Sequence, residues 1–216
     1  MGRRINNKRI ISNDRVGKRR VLKNKIVIAV EGKNKTEKIY FNNFDNGKKS
    51  YSITIAKGND TDPLKLVRGL DKEIKKLGLD LTSGDKAYCV FDIDIDINKN
   101  KIINDAIEYA KEVGIEVITS TPCIELWFLL HFDYTTGYLS NEEVIKRLKT
   151  YDKKYEKNYN IYSNIKDNVK TAIERAKKLE KYQLSNNRKI GTTYANPNTE
   201  MYKIIEYLID NENSKD

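Results

Sequence analysis

The sequence predicts an α/β protein in which a mainly parallel, four-stranded sheet is flanked by helices and followed by a C-terminal helical subdomain. Short apolar runs alternate with helical patterns through residue 132, and only helical patterns follow. Such alternation is typical of βαβ units, whose strands run parallel. A length of 216 residues is enough for one domain with a small appended subdomain.

Each predicted strand is a short run rich in β-branched and aromatic residues, which indicates a strand in the interior of a sheet. These runs lie at 26–30, 51–58, 86–94 and 115–120. Each run is followed by apolar residues at helical spacing, at 35–44, 63–78, 102–114 and 122–132. Pro63 and Pro122 open two of these helices, and Gly78 and Gly114 end two of them.

The remainder of the chain is predicted to be helical. Its helical patterns lie at 138–148, 168–182 and 198–209. We therefore divide the chain into a basic N-terminal arm at 1–24, an α/β core at 25–135, and a helical subdomain at 136–216 that packs on the core.

The charge of the chain favours a polyanionic partner. It carries 41 Lys and Arg against 31 Asp and Glu, with a formal net charge of +10 and a pI near 9.3. Such an excess is typical of nucleic-acid-binding proteins, although a composition rich in Lys, Asn and Ile can also reflect codon usage. No apolar run approaches the roughly 20 residues of a membrane span, so we expect a cytoplasmic protein without membrane contact. Cys89 and Cys123 lack metal-site spacing and are expected to be buried thiols.

Acidic residues follow two of the predicted strands. Asp92, Asp94 and Asp96 alternate with isoleucines at the end of the third strand, and Glu31-Gly32 follows the first. Ligands of open α/β sheets bind at the carboxyl ends of the strands, so these acids are expected to share one crevice. Crowded carboxylates repel one another unless a cation neutralises them, and oxygen ligands favour Mg²⁺ or Mn²⁺. The pattern predicts a metal site that handles phosphate.

Three other interpretations of the aspartates are considered for a pattern of this kind. A calcium loop of the EF-hand type is excluded, because Ile97 and Ile103 stand where its Gly and Glu would be. A phosphatase with a nucleophilic aspartate stays open. The acids could also simply lie at the N-terminus of the next helix, where its dipole favours negative charge.

Glu125 and His131 are further candidates for the catalytic site. Glu125 follows the fourth strand at the same sheet edge, which fits a supporting or metal-binding role, although the helix dipole also favours an acid there. His131 lies on an apolar helix and is expected to be structural. A proton carrier is the alternative, since the unperturbed pKa of histidine is near neutrality.

Several basic residues are candidates for substrate binding. Lys33 and Lys35 enter the first helix, where a phosphate could meet the lysines and backbone N–H groups. Arg188 belongs to a second basic concentration near the C-terminus. Tyrosines interleaved with lysines at 151–162 could stack on unpaired bases, or they could pack inward beneath a solvated basic surface.

Four motifs together resemble the RloB-like family, whose core is related to the Toprim fold. In chain order they are VEGKNKTEKIYF, VFDIDID, TPCIELWFLLHF and ANPNTEMYKII, and the resemblance covers roughly residues 24–210. It implies that Glu31 is a metal ligand or general acid/base, that Asp92 and Asp94 are metal ligands, and that Asp96 supports them. Three residues separate Glu31-Gly32 from Thr36-Glu37 where the family often has two, so no role is carried over to Glu37.

The resemblance also implies a biological role. It is that of a toxic effector of bacterial antiphage defence, a metal-dependent nuclease encoded beside an ATPase of the ABC or AAA type. Related effectors act on tRNA, so RNA is the expected substrate with DNA as the alternative, and a homodimer is expected by analogy. A non-catalytic subunit that binds nucleic acid or the ATPase is the alternative from a different class.

Overall fold

The computed structural model describes residues 23–32, 35–45, 49–57, 60–93 and 100–211. The predicted basic arm at 1–24 therefore lies almost wholly outside the described residues. In the described residues the sheet has five strands, in the order β2-β1-β3-β4-β5. They are β1 (Asn24–Val30), β2 (Tyr51–Ile55), β3 (Lys86–Asp92), β4 (Glu116–Thr121) and β5 (Asn198–Thr199). The first four run parallel, which confirms the predicted α/β class and the mainly parallel sheet.

The prediction of four strands is wrong by one, because β5 adds an antiparallel strand at the edge. Ser120 pairs with Thr199, and Thr121 pairs with Asn198. The hydroxyls of Ser120 and Thr199 also share a hydrogen bond of 2.8 Å. Two polar residues have neither an apolar run nor an alternating pattern, so only the tertiary position beside β4 makes them a strand.

The helices surround this sheet. They are α1 (Lys35–Asn42), α2 (Pro63–Leu77), α3 (Asn100–Glu112), α4 (Glu125–Leu130), α5 (Asn141–Tyr151), α6 (Tyr162–Ile165), α7 (Val169–Ser185) and α8 (Met201–Asp210), with a 3₁₀ turn over Lys166–Asn168. Among the described residues, no helix is long and apolar enough to cross a bilayer.

Helix α2 begins and ends where the sequence predicts. Asp62 accepts a hydrogen bond from the backbone N–H of Lys65, and Pro63 occupies the first turn. Gly78 ends the helix in the left-handed conformation, with φ of 60°. By contrast, α4 begins at Glu125 rather than Pro122, because the preceding turn is closed by i to i+3 hydrogen bonds such as Leu126 N–H to Cys123 O.

The two faces of the sheet bury different sets of side chains. Ile26, Ile28 and Val30 point to one face of β1, while Val27 and Ala29 point to the other. The second face is covered by α2 and α3. The first is covered by α1 and by the helices that follow β4, so the C-terminal helices complete the same hydrophobic core as the strands. Both cysteines are buried thiols, as predicted. With both faces covered, the carboxyl ends of the strands are left as the place for a site.

Candidate active site

The first two acids of the candidate site lie at the carboxyl ends of adjacent parallel strands. Val30 of β1 is in register with Val90 of β3, so Glu31 and Asp92 follow at neighbouring positions. The backbone N–H of Asp92 donates a long hydrogen bond of 3.4 Å to Glu31 Oε2. The structure thus brings together two of the residues that the sequence assigns to this edge.

Glu125 joins them from the start of α4. It follows β4, the strand next to β3, and its side chain is buried. The hydroxyl of Tyr155 donates a hydrogen bond of 3.0 Å to Glu125 Oε1, and burial together with this nearby carboxylate raises the pKa of the Cys123 thiol. The backbone N–H of Ile124 lies near the carboxyl of Asp92 and lowers its pKa, against the larger effect of burial. The turn that opens α4 therefore lies beside two of the acids.

Glu37 is a fourth acid at the site, to which the sequence assigned no role. It lies in the first turn of α1, is only 2% exposed, and its Oε2 has no hydrogen-bond partner. Burial, reinforced by repulsion from Glu125 and Glu31, raises the pKa of Glu37 to about 7. The sequence does place Glu37 near this site, since α1 starts directly after β1 at the same sheet edge. Its role was not predicted because the spacing after Gly32 departs from the pattern of the family.

The carboxyl of Asp92 interacts electrostatically with each of the other three acids. Burial raises the pKa of Asp92 well above its usual range, and repulsion from Glu37, Glu125 and Glu31 raises it further. The other three carboxylates are thus close enough to influence Asp92. The repulsion between these carboxylates favours the binding of a proton or a cation among them.

Three of these acids line a small cavity of about 40 Å³. Its wall includes Glu37, Asp92, Cys123, Glu125, Asn141 and Lys157. Among the described residues of this wall, Lys157 is the one cation, and it lowers the pKa of Glu37 in opposition to the acids. A cavity of this size has room for about one ion or water molecule.

The chemistry of the donors fits a hard divalent cation. Carboxylate oxygens are the preferred ligands of Mg²⁺ and Mn²⁺, and the buried Oε2 of Glu37 has no partner. Within the described ranges, however, no three His, Cys, Asp or Glu side chains are positioned as a group that could hold a metal ion. Asp94, Asp96 and Lys33 lie outside the described residues. Lys35 begins α1, and its side chain is also outside the description.

His131 lies away from the acidic cavity. It is buried at the end of α4, and its Nδ1 donates to the Trp127 carbonyl, since a carbonyl can only accept. Its Nε2 has no partner, and burial lowers the pKa of His131 to about 4. The residue lines a separate cavity of about 200 Å³, together with Tyr40 and Tyr162. This buried environment fits the structural role that the sequence favours for His131.

The tyrosines at 151–162 pack against the protein itself. Tyr155 is buried, Tyr162 packs edge-on against Phe44, and Tyr151 stacks on Phe132 with ring centroids 5.1 Å apart. Tyr155 is therefore a core residue, whereas Tyr151 lies on Phe132 with half of its side chain exposed. Arg188 is not on the wall of the acidic cavity, and it lines a larger groove elsewhere.

Fold and site together describe an α/β protein with an acidic cluster at the carboxyl edge of a parallel sheet. The family model described as RloB-like protein matches residues 26–208 of the chain. This match covers most of the sequence, and the chain belongs to the RloB-like family. No curated protein and no solved structure matches it.

Proposed function

We propose that this protein is a Mg²⁺- or Mn²⁺-dependent nuclease that cleaves phosphodiester bonds of RNA, with tRNA as the favoured class of substrate. The observation that carries the proposal is the convergence of Glu31, Glu37, Asp92 and Glu125 at one sheet edge. A basic chain gains nothing for polyanion binding from such an acidic cluster. The acidic cluster has a function if it binds a cation that contacts a phosphate of the substrate.

The acids have distinct parts in this proposal. Glu37, Asp92 and Glu125 line the cavity but do not form a complete set of ligands by themselves, so the ion would be held by these acids together with Asp94. When bound, the ion supplies polarisation of a phosphate oxygen and acidification of a water molecule. Glu31 lies at the margin of the cluster, beside the backbone of Asp92, where it can take a proton from the attacking oxygen.

Neighbouring groups position these acids. The Ile124 N–H lies beside the Asp92 carboxyl and favours its charged form, and the Tyr155 hydroxyl orients Glu125. Lys157 is exposed and lines the cavity, so it can pair with a phosphate of the bound strand. His131 has no part in the proposed chemistry, because it lines a different cavity.

The biological role is proposed from family membership. The RloB-like family resembles Toprim-type effectors, which suggests a toxic nuclease of antiphage defence that acts in the cytoplasm under the control of an ABC- or AAA-type ATPase. The net charge of +10 supports a nucleic-acid substrate. A homodimer is proposed by analogy with related effectors.

Cleavage assays on purified protein test the activity. Wild type, Glu37→Gln and Asp92→Asn are incubated with total RNA, plasmid DNA or p-nitrophenyl phosphate, in Mg²⁺, Mn²⁺ or EDTA. We expect metal-dependent cleavage of RNA by wild type and a loss of about 10²-fold or more in both variants. Glu108→Gln, on the exposed side of α3, is the matched control and should cleave normally.

The other outcomes point to other functions. Release of p-nitrophenol without nucleic-acid cleavage would support a phosphatase. Salt-sensitive RNA binding that EDTA does not change, with no cleavage in any metal, would support the non-catalytic subunit. Cleavage by Asp92→Asn at the wild-type rate would overturn the site assignment.

A further inference from the structure

A groove of about 670 Å³ lies on the C-terminal half of the chain, outside the acidic cavity. One wall is the segment that precedes α5, and the other is the segment between α7 and β5. The side chains that give it its chemistry are Tyr138, Tyr194, Arg188 and Lys189.

Two tyrosines line this groove and face solvent. Tyr138 is 60% exposed and Tyr194 is 59% exposed. They are the two most exposed large hydrophobic side chains among the described residues, and both occur in one groove. Aromatic rings that the core does not use can stack on the π-face of any base.

Two cations accompany the rings. Arg188 Nη1 donates a hydrogen bond of 3.0 Å to Oε1 of the fully buried Gln183, and Lys189 Nζ donates one of 2.9 Å to Asn104 Oδ1. Both partners are neutral amides. Among the described residues neither cation forms an ion pair with a carboxylate, so each positive charge is uncompensated. Arg188 is also held in place, which lowers the entropy cost of binding a phosphate.

The groove is connected to the acidic site on two sides. Leu139 and Asn196 join its walls by two hydrogen bonds of 2.9 and 3.0 Å, and the Leu139 segment continues into Asn141, which lines the acidic cavity. Thr193 forms two hydrogen bonds with Asn100. Asn100 begins α3, and Asp94 and Asp96 precede it in the sequence. A strand lying in the groove would therefore be led toward the acids.

We propose that this groove binds unpaired nucleotides, with bases stacked on Tyr138 and Tyr194 and phosphates paired with Arg188 and Lys189. The proposal rests on the proposed function for the identity of the polyanion, and it adds that the substrate enters as a loop or single strand. Bases in a duplex keep their faces stacked on one another, so a duplex cannot use the tyrosines.

Fluorescence anisotropy with a short fluorescein-labelled single-stranded RNA tests the stacking. EDTA prevents metal-dependent cleavage during the measurement. We expect Tyr138→Ala and Tyr194→Ala each to weaken binding about tenfold, because stacking on one ring stabilises a base by about 1–3 kcal/mol. Tyr138→Phe and Tyr194→Phe keep the ring and should bind like wild type. An abasic strand of equal length should bind all variants equally and weakly.

The cations are tested by their salt dependence. Lys189→Ala should lower the slope of log affinity against log salt by about one. The matched control is Lys170→Ala, which removes an exposed lysine of α7 outside the groove and should leave the slope unchanged. Circular dichroism melting checks that every variant is folded.

The proposal is overturned if wild type binds the abasic strand or the complementary duplex as tightly as the single strand. Unchanged binding by the double variant Tyr138→Ala/Tyr194→Ala also overturns it, and metal-dependent cleavage by wild type would then leave the nuclease proposal intact. Conversely, ring-dependent binding without cleavage in any metal would support the groove and refute the nuclease.

Discussion

The hydroxyl of Tyr155 donates a hydrogen bond of 3.0 Å to Glu125 Oε1 inside the protein. Tyr155 follows α5 in the predicted helical subdomain, whereas Glu125 opens α4 at the end of the sheet. This bond makes the C-terminal part of the chain a structural component of the acidic site. Its removal should therefore affect both activity and stability.

Tyr155→Phe should lower cleavage about tenfold and the free energy of unfolding by roughly 1–2 kcal/mol, because a buried carboxylate loses its donor. Activity assays and urea unfolding measure the two effects. Tyr151→Phe is the control, since the Tyr151 hydroxyl has no hydrogen-bond partner among the described residues and its ring stays on Phe132. Equal effects of the two substitutions would contradict a specific role for the Tyr155 hydroxyl.

The stability of the metal-free protein should fall as pH rises from about 5 to 8. The folded-state pKa of Glu37 is raised to about 7 from an ordinary value of 4.5. Its contribution to stability is therefore fully present below pH 4.5 and is lost as pH rises through 7. Glu37→Gln removes this titration and should stabilise the protein at pH 8 by roughly 1–3 kcal/mol. Urea unfolding in EDTA across this pH range measures the slope, and a variant with the same slope as wild type would disprove the assignment.

Mg²⁺ should stabilise the folded protein by binding among the acids. At a concentration ten times the dissociation constant, the gain is about 1.4 kcal/mol, or roughly 3–5 °C in melting temperature. Differential scanning fluorimetry measures this shift. Asp92→Asn and Glu125→Gln should abolish it, whereas Glu108→Gln should retain it. A shift that survives in both cavity variants would place the ion elsewhere.

Acidification should destabilise the protein through His131. Burial lowers its folded-state pKa to about 4 from 6.5, with the charge of Arg175 adding to the effect. The unfolded chain then binds a proton that the folded chain does not, so stability present above pH 6.5 is lost as pH falls to about 4. The loss is roughly 3 kcal/mol.

Carboxyl groups titrate in the same pH range. The difference in the free energy of unfolding between wild type and His131→Gln therefore isolates the contribution of His131. This difference should change between pH 6.5 and 4 and be constant above pH 7. Cleavage by His131→Gln near neutral pH should stay within about twofold of wild type, provided that the variant is folded. A large loss of cleavage without a loss of stability would restore His131 as a proton carrier.

Much of the fold and part of the site could be predicted from local patterns. Parallel strands place their carboxyl ends at one edge, so Glu31 and Asp92 were expected to meet as soon as both strands were recognised. The roles of Glu37 and Tyr155 were not predicted, because they depend on how α1 and the segment after α5 pack against α4. The tyrosines at 151–162 suggested base stacking by their spacing, but spacing does not say which side of a segment is buried.

The sequence by itself determined the α/β class, the order of the first four strands and of the helices between them, and the acids at the ends of β1 and β3, because hydrophobic periodicity and strand direction are local properties. Tertiary structure alone decided that Asn198–Thr199 form a fifth strand, that Glu37, Asp92 and Glu125 share one cavity, and that Tyr138 and Tyr194 stay exposed beside Arg188. These features depend on contacts between residues far apart in the chain. Only the packing of the whole core fixes such contacts.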